Sequence, residues 1–259
     1  MNETPLVGRR ILVTRRPEQA SPLIARLIEL GATVVAVPAI AIAAPEDPAP
    51  LDAALARINA YDWLIFTSGN AVRAVADRLE ALGLSRELRG PRIATVGPAT
   101  SEAVTDRFHG HVVDLEPETE SRAEGLLAAF AERGWPDDQH CLVPQGDRAR
   151  DVIAAGLRAR GAHVDAVVAY RTIVPAEFAA ALTNARQERI DLVLFASPSA
   201  VETFVAAAGE DAQGLPVAVI GPVTEEAARA AGFTVLAVAR SSTTEELVTA
   251  TVRCLTPSA

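Results

Sequence analysis

Apolar residues fall in two alternating rhythms along this chain. Short runs such as Ile11-Leu12-Val13 and Trp63-Leu64-Ile65-Phe66 are continuously apolar. Between such runs, apolar positions recur three and four apart, as in Leu23, Ile24, Leu27, Ile28 and Leu30. The first rhythm predicts strands buried on both faces, the second amphipathic helices. Strands are expected over Arg10–Thr14, Thr33–Val37, Trp63–Phe66, Arg92–Val96 and His111–Asp114. Helices are expected before Gly31, over Asn70–Leu82, from near Thr100, and over Ser121–Glu132. Gly31 and Gly83 suit the left-handed residue that ends a helix. Strands alternating with helices mean an α/β fold with parallel sheets covered on both faces.

The order then repeats. Phe66-Thr67-Ser68-Gly69-Asn70-Ala71-Val72 returns as Phe195-Ala196-Ser197-Pro198-Ser199-Ala200-Val201. Gly97-Pro98-Ala99-Thr100 returns as Gly221-Pro222-Val223-Thr224, and Ile11-Leu12-Val13-Thr14 as Cys141-Leu142-Val143-Pro144. The copies lie 130 residues apart at Ile11 and 121 apart at Ser121, the drift that loop deletions produce. A repeat this long is a duplicated domain rather than a solenoid unit. Two like halves create a cleft, where ligands tend to bind. Two segments resist a simple tandem: Val34–Pro45, interrupted by Pro38, and Val164–Val174. Each reads either as a strand that leaves one domain for another or as a strand with an irregular loop.

Composition removes whole classes of chemistry. All 24 basic residues are arginine, which excludes a Walker A lysine and any Schiff-base mechanism. The net charge of -9, with no basic stretch interleaved with aromatics, makes nucleic acid a poor partner. No apolar run is long enough to span a membrane, and Met1-Asn2-Glu3-Thr4 does not open a signal peptide; a cytoplasmic location is expected. Cys141 and Cys254 stand alone and read as buried structural thiols. The four histidines, near turns, offer no metal pattern; His109 and His111 read as a solvated turn. No GxSxG elbow, serine triad or isolated carboxylate pair is legible. An enzyme of this composition would work by holding a reactive substrate in shape, which can be worth about 7–11 kcal/mol.

The duplicated motifs supply the candidate site. Both Ser-containing motifs follow a buried strand and open a helix, where strand ends and helix N-termini face the crevice in such folds. Thr67, Ser68, Asn70 and Ala71 lie there in one copy, and Ser197, Ser199 and Ala200 in the other. The same residues also serve as plain helix caps. Gly97 and Gly221 suit a tight turn, which puts Thr100 and Thr224 at the caps that follow. Ser121/Glu124 and Ser242/Glu245 match the capping box. Thr14 ends the first strand, Gln145 and Gly146 occupy the turn after that strand's second copy, and Arg15 reads either as a partner for a carboxylate or as a solvated arginine at a strand end. Arg148 and Arg150 are expected on an exposed helix face.

Taken in order and spacing, Ile11-Leu12-Val13-Thr14-Arg15-Arg16-Pro17, the Phe66 motif, Val168-Ala169-Tyr170-Arg171-Thr172, the Phe195 motif and Ile220-Gly221-Pro222-Val223-Thr224 resemble the uroporphyrinogen-III synthase family over nearly the whole chain. The chain departs from the family's pattern in its doubled arginine at 15 and 16 and in Val223. The resemblance implies two flavodoxin-like parallel-sheet domains joined by a two-stranded linker. They would be interleaved, with residues 1–38 and 173–259 in one domain and 39–172 in the other. It implies an enzyme that cyclises hydroxymethylbilane with no metal or organic cofactor, and leaves room for a handover of that substrate from hydroxymethylbilane synthase; a monomer is expected because substrate entry and release would need motion between domains. Tyr170 matches the tyrosine that assists departure of hydroxide; it also reads as a hinge residue with a packed ring. Two other readings stay open on the residues alone: a non-enzymatic two-domain module for an anionic small molecule, and a different cofactor-free lyase.

Overall fold

A computed structural model describes residues 4–108, 110–212 and 214–256. His109 lies outside the described residues. The chain divides into two compact units, Met1–Ala41 with Ile173–Ala259, and Ile42–Thr172.

In the first unit the apolar runs become strands β1 (Arg10–Val13), β2 (Thr33–Ala36), β8 (Leu192–Phe195), β9 (Pro216–Val219) and β10 (Thr234–Val238). They pair in parallel in the order β2-β1-β8-β9-β10. Numbered within the unit, that is the 2-1-3-4-5 order of flavodoxin-like folds. Alternation along each strand feeds two cores. Ile11, Val13, Leu192 and Leu194 pack with helices α1 (Pro17–Glu29) and α10 (Thr244–Leu255). Leu12, Val193, Phe195 and Val217 pack with α7 (Phe178–Ala185), α8 (Pro198–Ala208) and α9 (Pro222–Ala230). Both faces are covered, so the strands need no polar side.

The second unit repeats the plan with the chain cut elsewhere. Its strands are β3 (Ala41–Ala43), β4 (Trp63–Phe66), β5 (Arg92–Thr95), β6 (His140–Gly146) and β7 (His163–Ile173), ordered β3-β7-β6-β4-β5. Counted from β6, the run β7-β6-β4-β5 is again 2-1-3-4. Leu115 takes the fifth place through an isolated parallel bridge to Ala94. Leu64, Phe66, Ile93 and Leu142 face α2 (Ala49–Ala56), α3 (Gly69–Ala81) and α4 (Pro98–Arg107). Trp63, Ile65, Cys141 and Val143 face α5 (Ala123–Arg133) and α6 (Val152–Arg158).

Several expectations need correction. His111–Asp114 forms no strand: the Asp114 carboxylate itself accepts the Ile93 N–H at 2.8 Å, which replaces a ladder bond. The first overlong segment is two strands in two sheets, broken at Pro38, which has no N–H to donate. The second is a single strand, β7. His140 and His163, each just after a turn, begin strands and stack at 4.8 Å. Cys141 is buried, but Cys254, in the last turn of α10, is only half-buried.

Two buried protons make the second unit alkali-sensitive. The Tyr61 hydroxyl donates to Asp165 Oδ2 at 2.6 Å. Burial, then the Asp165 carboxylate, push this phenol from 10.0 up to about 12. Burial pushes the Cys141 thiol from 9.0 up to about 12. A raised folded-state pKa means the folded chain keeps a proton that the unfolded chain releases. The stability contributed is therefore complete below about pH 9 and is lost as pH rises from there towards about 12. Thermal midpoints measured between about pH 8 and about pH 11 should fall, and Cys141→Ala or Tyr61→Phe should each flatten the decline. An equally steep decline in both variants would contradict this assignment.

Candidate functional site

In open sheets of this order, the crevice lies at the carboxyl ends of the strands where the order reverses. That point is β6/β4 in the second unit and β1/β8 in the first.

In the second unit, β4 runs out through Thr67 into Ser68, whose extended backbone makes it the N-cap of α3. Ser68 Oγ accepts the Ala71 N–H at 3.2 Å and lies 3.2 Å from the Tyr170 hydroxyl oxygen. Beside β4, strand β6 ends in Gln145 and Gly146, paired to β7. The register runs Gln145 to Val168 and then Gly146 to Tyr170, so Ala169 is the extra residue of a β-bulge. Strict alternation would send Tyr170 away from the face that Val167 and Ala169 share. The bulge turns it back, and its ring packs on the same core cluster. Gly146 makes the room: a Cβ there would lie 2.8 Å from Tyr170 Cζ and 2.9 Å from its hydroxyl oxygen. Ser68, Gly146 and Tyr170 are thus brought together. Thr67 and Gln145 share these strand ends, half-buried, with no side-chain hydrogen bond among the described residues.

Three arginines complete this edge. Arg73, which pattern reading missed, donates to Asn70 Oδ1 at 2.8 Å and folds over the first turn of α3, 3.4 Å from where a Gly69 Cβ would stand. A cation at the positive end of a helix, bonded to a neutral amide, favours an incoming anion. Its spacing, Asn70-x-x-Arg73, was the available signal. Arg148 and Arg150 lie in the turn between β6 and α6 rather than on a helix face, because α6 begins only at Val152. Both are exposed, and neither forms an ion pair among the described residues.

The first unit repeats the frame with different partners. Ser197 caps α8, accepting the Ala200 N–H at 3.2 Å, and its Oγ lies 3.1 Å from Ser199 Oγ. Thr14 is buried and donates its proton to the Leu194 carbonyl at 2.8 Å, tying β1 to β8. Arg15 is half-buried and donates to Thr244 Oγ1 at 3.2 Å; burial lowers its pKa, and no carboxylate faces it among the described residues.

The glycine-proline motifs work differently from expectation. Helices α4 and α9 begin at Pro98 and Pro222, with Gly97 and Gly221 as their N-caps. Proline's fixed φ starts each helix two residues early, so Thr100 and Thr224 sit buried in the first turn instead of capping it. The glycines admit another segment of chain. A Cβ on Gly97 would come within 2.7 Å of Ser121 Oγ, and one on Gly221 within 3.0 Å of Ser242 Oγ. Ser121 and Ser242 are therefore not caps. Arg122 stands at the cap of α5 with no side-chain capping bond, its guanidinium pairing with Glu120 at 2.7 Å instead, and Thr243 caps α10, accepting the Glu246 N–H at 3.3 Å. Each serine lies against its glycine, and each helix starts one residue further along.

Among the described residues, no three His, Cys, Asp or Glu side chains converge as a metal ion would require. No helix among them is long and apolar enough to cross a membrane.

Known proteins place this architecture. The family described as uroporphyrinogen-III synthase HemD matches residues 21–249. A uroporphyrinogen-III synthase of Synechococcus elongatus is 35% identical over 234 residues, covering 86% of this chain and 87% of the relative. A putative uroporphyrinogen-III synthase of Methanothermobacter thermautotrophicus is 30% identical over 230 residues, covering 82% and 85%. The solved structure of a mutant uroporphyrinogen III synthase from Thermus thermophilus shares the fold, with a TM-score of 0.61 at 19% identity over 96% of this chain and 99% of that one. One from Helicobacter pylori does so with a TM-score of 0.61 at 14% identity, covering 95% and 99%.

Proposed function

The chain belongs to the uroporphyrinogen-III synthase family, and from that premise we propose how its residues perform the family's ring closure. It is a lyase of tetrapyrrole biosynthesis. The substrate in this reading is hydroxymethylbilane. Hydroxide leaves the hydroxymethyl carbon of ring A, and an azafulvene forms. The substituted α-carbon of ring D attacks it to give a spiro pyrrolenine. That intermediate fragments and recloses through ring D's free α-carbon, which inverts ring D.

One observation carries the chemical part: the Tyr170 phenol stands over Gly146 and 3.2 Å from Ser68 at the reversing point of its sheet. Tyr170 gives its proton to the departing hydroxide, making water. The proton lost from ring D's free α-carbon when the last pyrrole re-aromatises restores the phenol. In the second unit the substrate's carboxylates are matched by the start of α3 and by Arg73, Arg148 and Arg150. Shape control is the larger task, because direct closure to the type I isomer must be suppressed.

Freshly made hydroxymethylbilane, with type I and type III isomers resolved by chromatography, tests the reading. Spontaneous closure gives type I, so no excess of type III over the uncatalysed reaction would overturn it. Tyr170→Phe should lower kcat by about 30-fold, below the usual general-acid range, because the pyrrole nitrogen already helps expel hydroxide. An unchanged kcat would remove the phenol from the mechanism.

A further inference from the structure

We propose that Ser68 is a positioning residue, which aims the Tyr170 hydroxyl proton rather than gripping substrate; this rests on the role given to Tyr170 above. A serine hydroxyl has one proton and two acceptor lone pairs. One lone pair is committed, since Ser68 Oγ accepts the Ala71 N–H as the cap of α3. What remains nearest is the Tyr170 hydroxyl oxygen at 3.2 Å. When Ser68 donates its proton there, it occupies a lone pair of the phenol oxygen. The phenol's own proton must then point away from the cap. That is the orientation in which it can pass to the departing hydroxide. The phenolate left behind keeps the Ser68 O–H as a donor, close to the positive start of α3. Ser68 loses no proton in this scheme; the only bond broken on the protein is the Tyr170 O–H, restored by the proton from ring D.

The duplication supplies the comparison. Ser197 makes the same cap to Ala200 N at the same 3.2 Å, yet its other neighbour is Ser199. The position that matches Tyr170 in that copy is Ile40. Capping alone therefore needs no phenol. In the second unit a β-bulge at Ala169 and the absence of a side chain at Gly146 both serve to bring the phenol to the serine.

A double-mutant cycle on the full chain tests this. Ser68→Ala should lower kcat about tenfold with KM within about twofold of the parent, because what is lost is orientation of a group that acts in the transition state. Ser68→Thr, which keeps both the cap oxygen and the proton, should restore most of the rate. Ser68→Ala with Tyr170→Phe should be no slower than Tyr170→Phe alone, since the serine acts through the phenol. Multiplying losses in the double variant, or a raised KM with kcat preserved, would overturn the positioning role and make Ser68 a substrate contact. A parent that yields no excess of type III isomer would instead sink the functional reading on which the role rests.

Discussion

Gly146→Ala is expected to lower turnover by about 100-fold, the cost of misplacing a catalytic group by roughly 1 Å. The alanine Cβ would meet Tyr170 Cζ at 2.8 Å and its hydroxyl oxygen at 2.9 Å, separations that real Cβ atoms essentially never show, and Cε2 at a tight 3.0 Å. The β6 backbone is held by its pairing to β7, so the tyrosine ring must yield. It has somewhere to go, because Tyr170 also borders a hollow of about 260 Å³ lined by Leu51, Ala74 and Ala169. The thermal midpoint should therefore move little while the phenol leaves both Ser68 and the departing hydroxide. The loss should exceed that of Tyr170→Phe, because the phenylalanine leaves the ring in its seat beside Ser68 whereas the alanine drives it out. Adding Tyr170→Phe to Gly146→Ala should cost almost nothing more, since the proton is already out of place. Isomer-resolved kinetics and thermal melts on the purified variants decide this. Full activity in Gly146→Ala would remove the tyrosine seat from the mechanism.

What could be read from the sequence follows the range of the interactions involved. The strand over Trp63–Phe66 is continuously apolar because both its faces are covered, so period and composition suffice to find it. The helix expected over Asn70–Leu82 forms as Gly69–Ala81 for a similar reason, since its apolar stripe and its closing glycine are local signals. Duplication was legible because the copies keep their motifs in order, and the 2-1-3-4 strand order that the two sheets share follows from it. The failures are tertiary. Nothing near Ser121 or Ser242 announces that each lies against a glycine more than twenty positions earlier. Capping-box spacing fits those serines, but the helices begin one residue later. Likewise Thr100 and Thr224 look like caps until proline's fixed φ is counted as helical. The bulge at Ala169 has no local mark either. It exists because β6 and β7 must pair on both sides of a residue that has no partner, and only the register reveals it.

Phe204→Ala should be among the most damaging single changes to stability, at about 3–5 kcal/mol, and should lower the thermal midpoint by about 6–20 °C. Phe204 lies on α8, fully buried, and its ring meets those of Phe195 at 5.3 Å, Phe178 at 5.4 Å and Phe233 at 6.2 Å. Phe195 and Phe233 also meet each other at 5.4 Å. Truncation would remove a side chain that joins strand β8 to helix α7 and to the segment before β10. The cavity could not close, because its walls are three rings held by separate elements. The other copy of the duplication offers a scale. The residue matching Phe204 is Val75 on α3, also fully buried but with far less to lose. Val75→Ala should cost about 2 kcal/mol. Two probes separate the effects, because both tryptophans, Trp63 and Trp135, belong to the second unit. Far-ultraviolet ellipticity reads the helices of both units, and tryptophan fluorescence reads the second alone. In Phe204→Ala the ellipticity midpoint should fall further than the fluorescence midpoint, and in Val75→Ala the fluorescence midpoint should fall at least as far as the ellipticity. An ellipticity midpoint within about 2 °C of the parent in Phe204→Ala would mean that the four-ring cluster contributes much less than its burial implies.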